Sequence, residues 1–116
     1  MNDENDDIVI DENAPQRVHS YWWCAGFGDT LIWSRLDVYD SGLAEVFGAT
    51  GEYLRYDDET AARMALLDAE FREFDGLDEE DAAVMGFDLD SMHEPSGDSD
   101  EELLPRMVHK IARGLG

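Results

Sequence analysis

Between Val18 and Tyr56 the chain is dominated by β-branched and aromatic residues, and three clusters of turn chemistry cut the run: Gly26 and Gly28-Asp29, Asp40-Ser41-Gly42, and Ala49-Thr50-Gly51. Such residues favour a pleated surface, and glycine, aspartate and serine favour the reversals between its strands. The spacing predicts a four-stranded antiparallel β-meander with strands at about His19 to Ala25, Thr30 to Tyr39, Leu43 to Gly48 and Glu52 to Tyr56.

Strand side chains alternate between faces. In the second strand Ile32, Leu36 and Val38 share one face, while Trp33, Arg35, Asp37 and Tyr39 share the other. In the fourth, Leu54 and Tyr56 oppose Tyr53 and Arg55. The first face is aliphatic and is the expected seat of a helix; the second mixes aromatics with charge and is expected to be half-solvated or a contact surface.

The helix is predicted over Asp58 to Asp75. Asp57 or Asp58 supplies an N-cap, Met64, Leu67, Phe71 and Phe74 recur at spacings of three and four, and Gly76 ends it. Glu59 precedes Arg63, and Asp68 precedes Arg72, by four residues, an order that favours ion pairing, whereas Glu70, Glu73 and Asp75 have no such partner. Asp78-Glu79-Glu80-Asp81 opens a short second helix that runs through Met85 to Gly86, with acids at the positive end of its dipole. Residues 88–102 read as an acidic loop, in which Ser99 and Glu102 form a capping pattern ahead of Pro105. The last element, from about Pro105 to Ala112, is predicted as a helix or a strand; its Arg106, Lys110 and Arg113 are expected to dock on acids of the same chain. The fold class is therefore α+β, with the meander on one main helix in a single domain of 116 residues. Residues 1 to about 17 hold six acids, and only Ile8-Val9-Ile10 offers an apolar patch, one able to add an edge strand; the segment is expected to be mobile.

Charge narrows the function. Against 29 Asp plus Glu stand 8 Lys plus Arg, a formal net charge of −21, beyond what solubility requires. Such a chain repels phosphate backbones and anionic lipid, and its natural counterpart is a basic protein surface; colloidal solubility, a salty cytoplasm or acidic tails are the plainer explanations of the same excess. Cys24 is the only cysteine, so no disulfide forms within the chain, and a reducing, cytoplasmic setting fits. The N-terminus has neither the basic nor the apolar region of a secretory signal, and no apolar run reaches the length of a membrane span.

Familiar site patterns fail. Asp88-x-Asp90 and Asp98-x-Asp100 begin like calcium loops, but the turn position that needs glycine holds His93 in one and Leu103 in the other. Gly26-Phe27-Gly28 lacks the lysine and following helix of a phosphate loop. His19 and Cys24 point to opposite faces of one strand, so they do not form a nucleophile pair. His93 and His109 are isolated. With a quarter of the residues acidic, paired carboxylates carry no information. No enzyme activity, cofactor or metal is expected. Trp22 and Trp23 are adjacent, so one faces away from the helix, and Trp33, Tyr39 and Tyr53 can join it. These rings either belong to a core closed by the N-terminal segment or the C-terminal element, or anchor a protein interface.

The run Leu43-Ala44-Glu45-Val46-Phe47 through Leu54-Arg55-Tyr56-Asp57-Asp58, the stretch Phe74-Asp75-Gly76-Leu77, and Ser99-Asp100-Glu101-Glu102-Leu103-Leu104-Pro105 together resemble the small acidic immunity proteins of bacterial contact-dependent growth inhibition systems. The resemblance implies a cytoplasmic antidote that binds one cognate toxin domain, often a nuclease. A nuclease cleft is basic, and an acidic partner can take the place of the phosphates there. Glu70, Glu73, Asp75, Asp78, Glu79, Glu80 and Asp81 are expected to steer and pair with such a partner, and Trp33 and Tyr53 to be its desolvated anchors. The alternative is a nucleic-acid mimic that inhibits a DNA- or RNA-binding enzyme.

Overall fold

The computed structural model describes residues 15–111, an α+β arrangement around one antiparallel sheet. Strands β1 (Arg17–Phe27), β2 (Thr30–Tyr39), β3 (Ala44–Phe47) and β4 (Tyr53–Tyr56) pair in succession. The β1–β2 hairpin turns through Gly28 at φ 61°, a left-handed conformation that suits glycine. Two short strands complete the sheet. β5 (Arg72–Glu73) adds to the outer edge of β1, opposite Trp23 and Cys24. β6 (Val108–Lys110) pairs with Thr30, Leu31 and Ile32 of β2, on the same side as β3 but nearer the start of the strand. The C-terminal element is thus led in by a 3₁₀ turn, Leu104–Arg106, that absorbs Pro105, and it ends as a strand rather than a helix. The expected mobile N-terminal segment, with Ile8 to Ile10, and the end at Ala112 and Arg113 lie outside the described residues; Gln16 exchanges backbone and side-chain bonds with Asp40, and Arg17 already belongs to β1.

Helix α1 (Glu59–Asp68) crosses the aliphatic face, capped by Asp58, whose carboxylate accepts from Ala61 N at 2.8 Å. It packs through Ala62 and Leu66, not through the predicted stripe: Met64 is 59% and Leu67 47% exposed. Bulk on this face comes from the sheet, where Trp23, Leu36, Val38 and Val46 are buried, so small helix residues let the backbone approach. The helix also stops seven residues short of Asp75. Phe71 N donates to Leu66 O and Glu70 N to Leu67 O, both at 2.9 Å, and this paired closure turns the chain with Glu70 at φ 70°. Phe71 and Phe74 consequently leave the helix face and pack on opposite sides of the sheet. Glu59 pairs with Arg63 at 2.7 Å, but Arg72 has passed into β5 and its guanidinium donates to the Phe71 carbonyl instead of to Asp68.

Over most of β1 to β3 the second face is neither half-solvated nor free, while on β4 Tyr53 and Arg55 stay exposed. A 3₁₀ turn at Phe74–Gly76, helix α2 (Glu79–Met85), a turn at Leu89–Ser91 and helix α3 (Asp100–Leu103) lie over it, and they bury Leu31, Trp33, Cys24 and Phe47 against Ala82, Phe87, Leu103 and Met107. Trp33 packs edge-on to Trp22 and Phe74, with ring centroids 6.1 and 5.0 Å away. The sheet is therefore the middle of three layers, with α1 on one side and an irregular acidic layer on the other. Among the described residues no helix is long and apolar enough to cross a membrane.

Candidate protein-binding surface

Six of the 29 acidic residues precede residue 15, and the rest lie within the described chain. Their distribution is uneven. From Asp75 through Glu102 there are twelve carboxylates and no lysine or arginine, and this stretch is the layer over the Trp33 face. All but Asp100 of the twelve are exposed. Of the apolar residues interleaved with them, Leu77, Ala82, Phe87, Leu89 and Leu103 point inward to the core, while Val84 is exposed. Amphipathic patterning of short turns thus forces the acids outward.

Five of the residues expected to bind a partner, Asp75, Asp78, Glu79, Glu80 and Asp81, fall between positions 75 and 81 and are exposed in this layer. Two of them also hold the helix: Asp78 accepts from Asp81 N at 2.8 Å, and the Asp81 carboxylate accepts from Asp78 N at 3.5 Å. Glu79 and Glu80 stand in the first turn, where the helix dipole favours negative charge. Glu70 lies beside Asp81 around a concavity of about 380 Å³ that also takes in Gly26, Arg72, Val84 and Met85. Asp75 crowds Glu94, whose pKa rises from burial first and then from that neighbouring charge.

Three expected members are placed elsewhere. Glu73 is not a free charge: it points to the α1 face and meets Arg63 at 2.7 Å. That guanidinium also lies over the rings of Tyr21 and Trp23, at 4.9 and 5.5 Å from their centroids. Trp33 is fully buried in the chain's own core, so it has no surface to offer a partner, and core filling is its role. Tyr53 is 48% exposed on β4, stacked on Phe47, and its hydroxyl donates to Asp100 at 2.5 Å, which pushes its own pKa up to about 12. It sits at the border of the acidic layer rather than at its centre.

The same border carries a buried ion-pair network that charge counting did not single out. Arg35 donates to Asp37 at 2.9 and 3.0 Å and to Asp100 at 2.7 Å, and Ser20 Oγ donates to Asp37 at 2.7 Å. Burial works against the Arg35 charge, but the bonds to Asp100 and Asp37 outweigh it and hold the guanidinium firmly protonated. The Arg35 bond in turn holds the Asp100 carboxyl below the ordinary aspartate value. Strand alternation placed Arg35 and Asp37 together; nothing local revealed that Asp100, far along the chain, completes the cluster.

No protein family, curated protein or solved structure matches the chain. The surface therefore has to be read from its own chemistry. Among the described residues no three of His, Cys, Asp and Glu are grouped as a metal would need. Cys24 is fully buried, and burial pushes its thiol up to about 12, so it carries no thiolate near neutral pH. Asp88, Asp90, Glu94, Asp98, Glu101 and Glu102 extend the acidic surface beyond the residues expected to form it, and the signal for them was the unbroken lack of lysine and arginine from position 75 to 102.

Proposed function

We propose that this chain is a binding protein for a cationic protein partner, and specifically a cytoplasmic immunity protein that neutralises a basic toxin domain, a nuclease above all. The observation that carries the reading is the exposed carboxylate layer from Asp75 to Glu102, free of lysine and arginine and backed by a well-packed core. A one-signed surface of this kind attracts an opposite one over roughly a Debye length, about 10 Å at 0.1 M salt, and raises the rate of encounter. A nuclease cleft built to hold phosphates presents the complementary field, and seating carboxylates there excludes the nucleic acid.

Recovery of partners by the tagged chain from its native cell at low salt identifies the toxin, and a purified basic nuclease should then lose activity at one equivalent of this protein. Glu79, Glu80 and Glu101 are the acids to reverse to lysine, because Asp78 and Asp81 also cap α2. The triple variant is expected to associate at least tenfold more slowly at low salt while keeping its fold, with the difference fading in high salt. Equal association rates at low salt would sink the electrostatic reading. Capture of a DNA-binding host enzyme in place of a toxin would favour phosphate mimicry.

A further inference from the structure

The acidic layer has charge but, apart from Val84 at 77% exposed, little large apolar surface to desolvate, since Trp33 lies beneath it. Apolar surface is open on the other side of the sheet. Helix α1 has only ten residues and leaves part of its face uncovered, between its C-terminal half, β6 and the β3–β4 turn. The gap is a groove of about 340 Å³ walled by Ile32, Val46, Leu54, Leu66 and Val108, of which Leu54 is 48% and Val108 44% exposed. That volume is at the lower end of the range of ligand pockets, about 300–1,000 Å³, and suits inserted side chains. No basic residue lines it. Glu52 does, and so do Ala65, Leu66 and Ala69 at the negative, C-terminal end of α1.

From this combination we infer that the groove seats the apolar side chains of a lysine- and arginine-rich amphipathic segment of a protein partner. The protein nature of that partner rests on the binding reading above. Charge selects the occupant: a second copy of this chain brings the same net −21, and nucleic acid and anionic lipid are repelled as well. The groove also adjoins the acidic layer at one edge. Gly51, in the β3–β4 turn, approaches the Leu104 side chain, and Tyr53 bonds to Asp100, so one partner wrapped around β4 reaches both surfaces.

The test uses the full chain with labelled methyl groups and a synthetic 14-residue Lys/Leu amphipathic helical peptide at low salt. Saturable shifts at Ile32, Val46, Leu54, Leu66 and Val108 are expected. A Lys/Ser peptide of equal charge and a Glu/Leu peptide should each leave those methyls unmoved. Ala65→Met, which narrows the groove with a good helix former, and Leu54→Thr, which lowers its wall on an exposed strand, change no charge; each should weaken the Lys/Leu peptide about tenfold, the scale of a methylene-sized misfit. Retained melting transitions show that the variants fold, and Leu54→Thr carries the test alone if Ala65→Met does not. Shifts elsewhere, equal binding of either control peptide, unweakened binding by the folded variants, or groove contacts from the chain's own Ile8 to Ile10 would overturn the inference. A toxin neutralised equally well by both folded variants would remove the groove and leave the immunity reading intact, whereas a groove that takes the Lys/Leu peptide with no toxin recovered would do the reverse.

Discussion

Trp33 illustrates how far a single side chain's role depends on what lies over it. Its ring is 0% exposed and packs against Trp22 and Phe74, and its indole Nε1 has no acceptor among the described residues. An interface anchor would lose affinity on truncation and keep its fold; a core ring does the opposite. Trp33→Ala is expected to cost about 3–5 kcal/mol of stability by urea denaturation, the range for aromatic-to-alanine changes in cores. Trp33→Phe should cost less, because it also removes the unpaired donor. The strand pattern made the face of Trp33 legible and let it share that face with one of Trp22 and Trp23. It left core and interface open, because alternation says which way a side chain points and not what it meets.

At the scale of elements, chain reversal decided more than periodicity. Met64, Leu67, Phe71 and Phe74 have helical spacing, yet the helix ends at Asp68, where Glu70 takes a left-handed conformation that costs a non-glycine residue about 1–2 kcal/mol. Glu70→Gly should therefore stabilise the protein by about 0.5–1 kcal/mol in urea melts, after the larger backbone entropy glycine loses on folding. Helix α3 is held differently. Four residues cannot sustain a helix, so the buried Leu103 and the clasp of Asp100 to Arg35 and Tyr53 fix it to the sheet. The Asp100 pKa is depressed in the folded state, so its contribution is fully present above the ordinary aspartate value of about 3.9 and is lost as pH falls through the folded value. Urea melts across a pH series should show wild type more stable than Asp100→Asn near neutrality, with the two converging in acid. A constant gap would mean that the carboxylate's charge is not what holds α3.

For the molecule as a whole, the sheet and its two covers differ sharply in charge. Residues 17–56 are nearly balanced and include the buried Arg35–Asp37 pair, while residues 75–102 are acidic throughout. Folding gathers those carboxylates on one side, and their mutual repulsion subtracts from stability. Raising salt from 0.01 to 1 M shortens the screening length from about 30 to about 3 Å, so the melting temperature is expected to climb with salt. A melting temperature that falls instead would mean that exposed ion pairs such as Lys110 with Asp29 outweigh the repulsion. The same repulsion, relieved on contact with a cationic partner, is what the proposed function draws on.

Pattern alone determined the strand-forming run from Val18 to Tyr56, the two-faced character of β2, the start of α1 capped at Asp57 or Asp58, and the α2 segment, because each rests on neighbours within a few positions. Tertiary structure decided the rest: that α1 ends at Asp68 and packs through alanine, that residues 104–110 pass into a strand beside β2, that Trp33 is core, and that Asp100 closes on Arg35. Each of those outcomes depends on surfaces brought together from distant positions, where burial and pairing outweigh local preference.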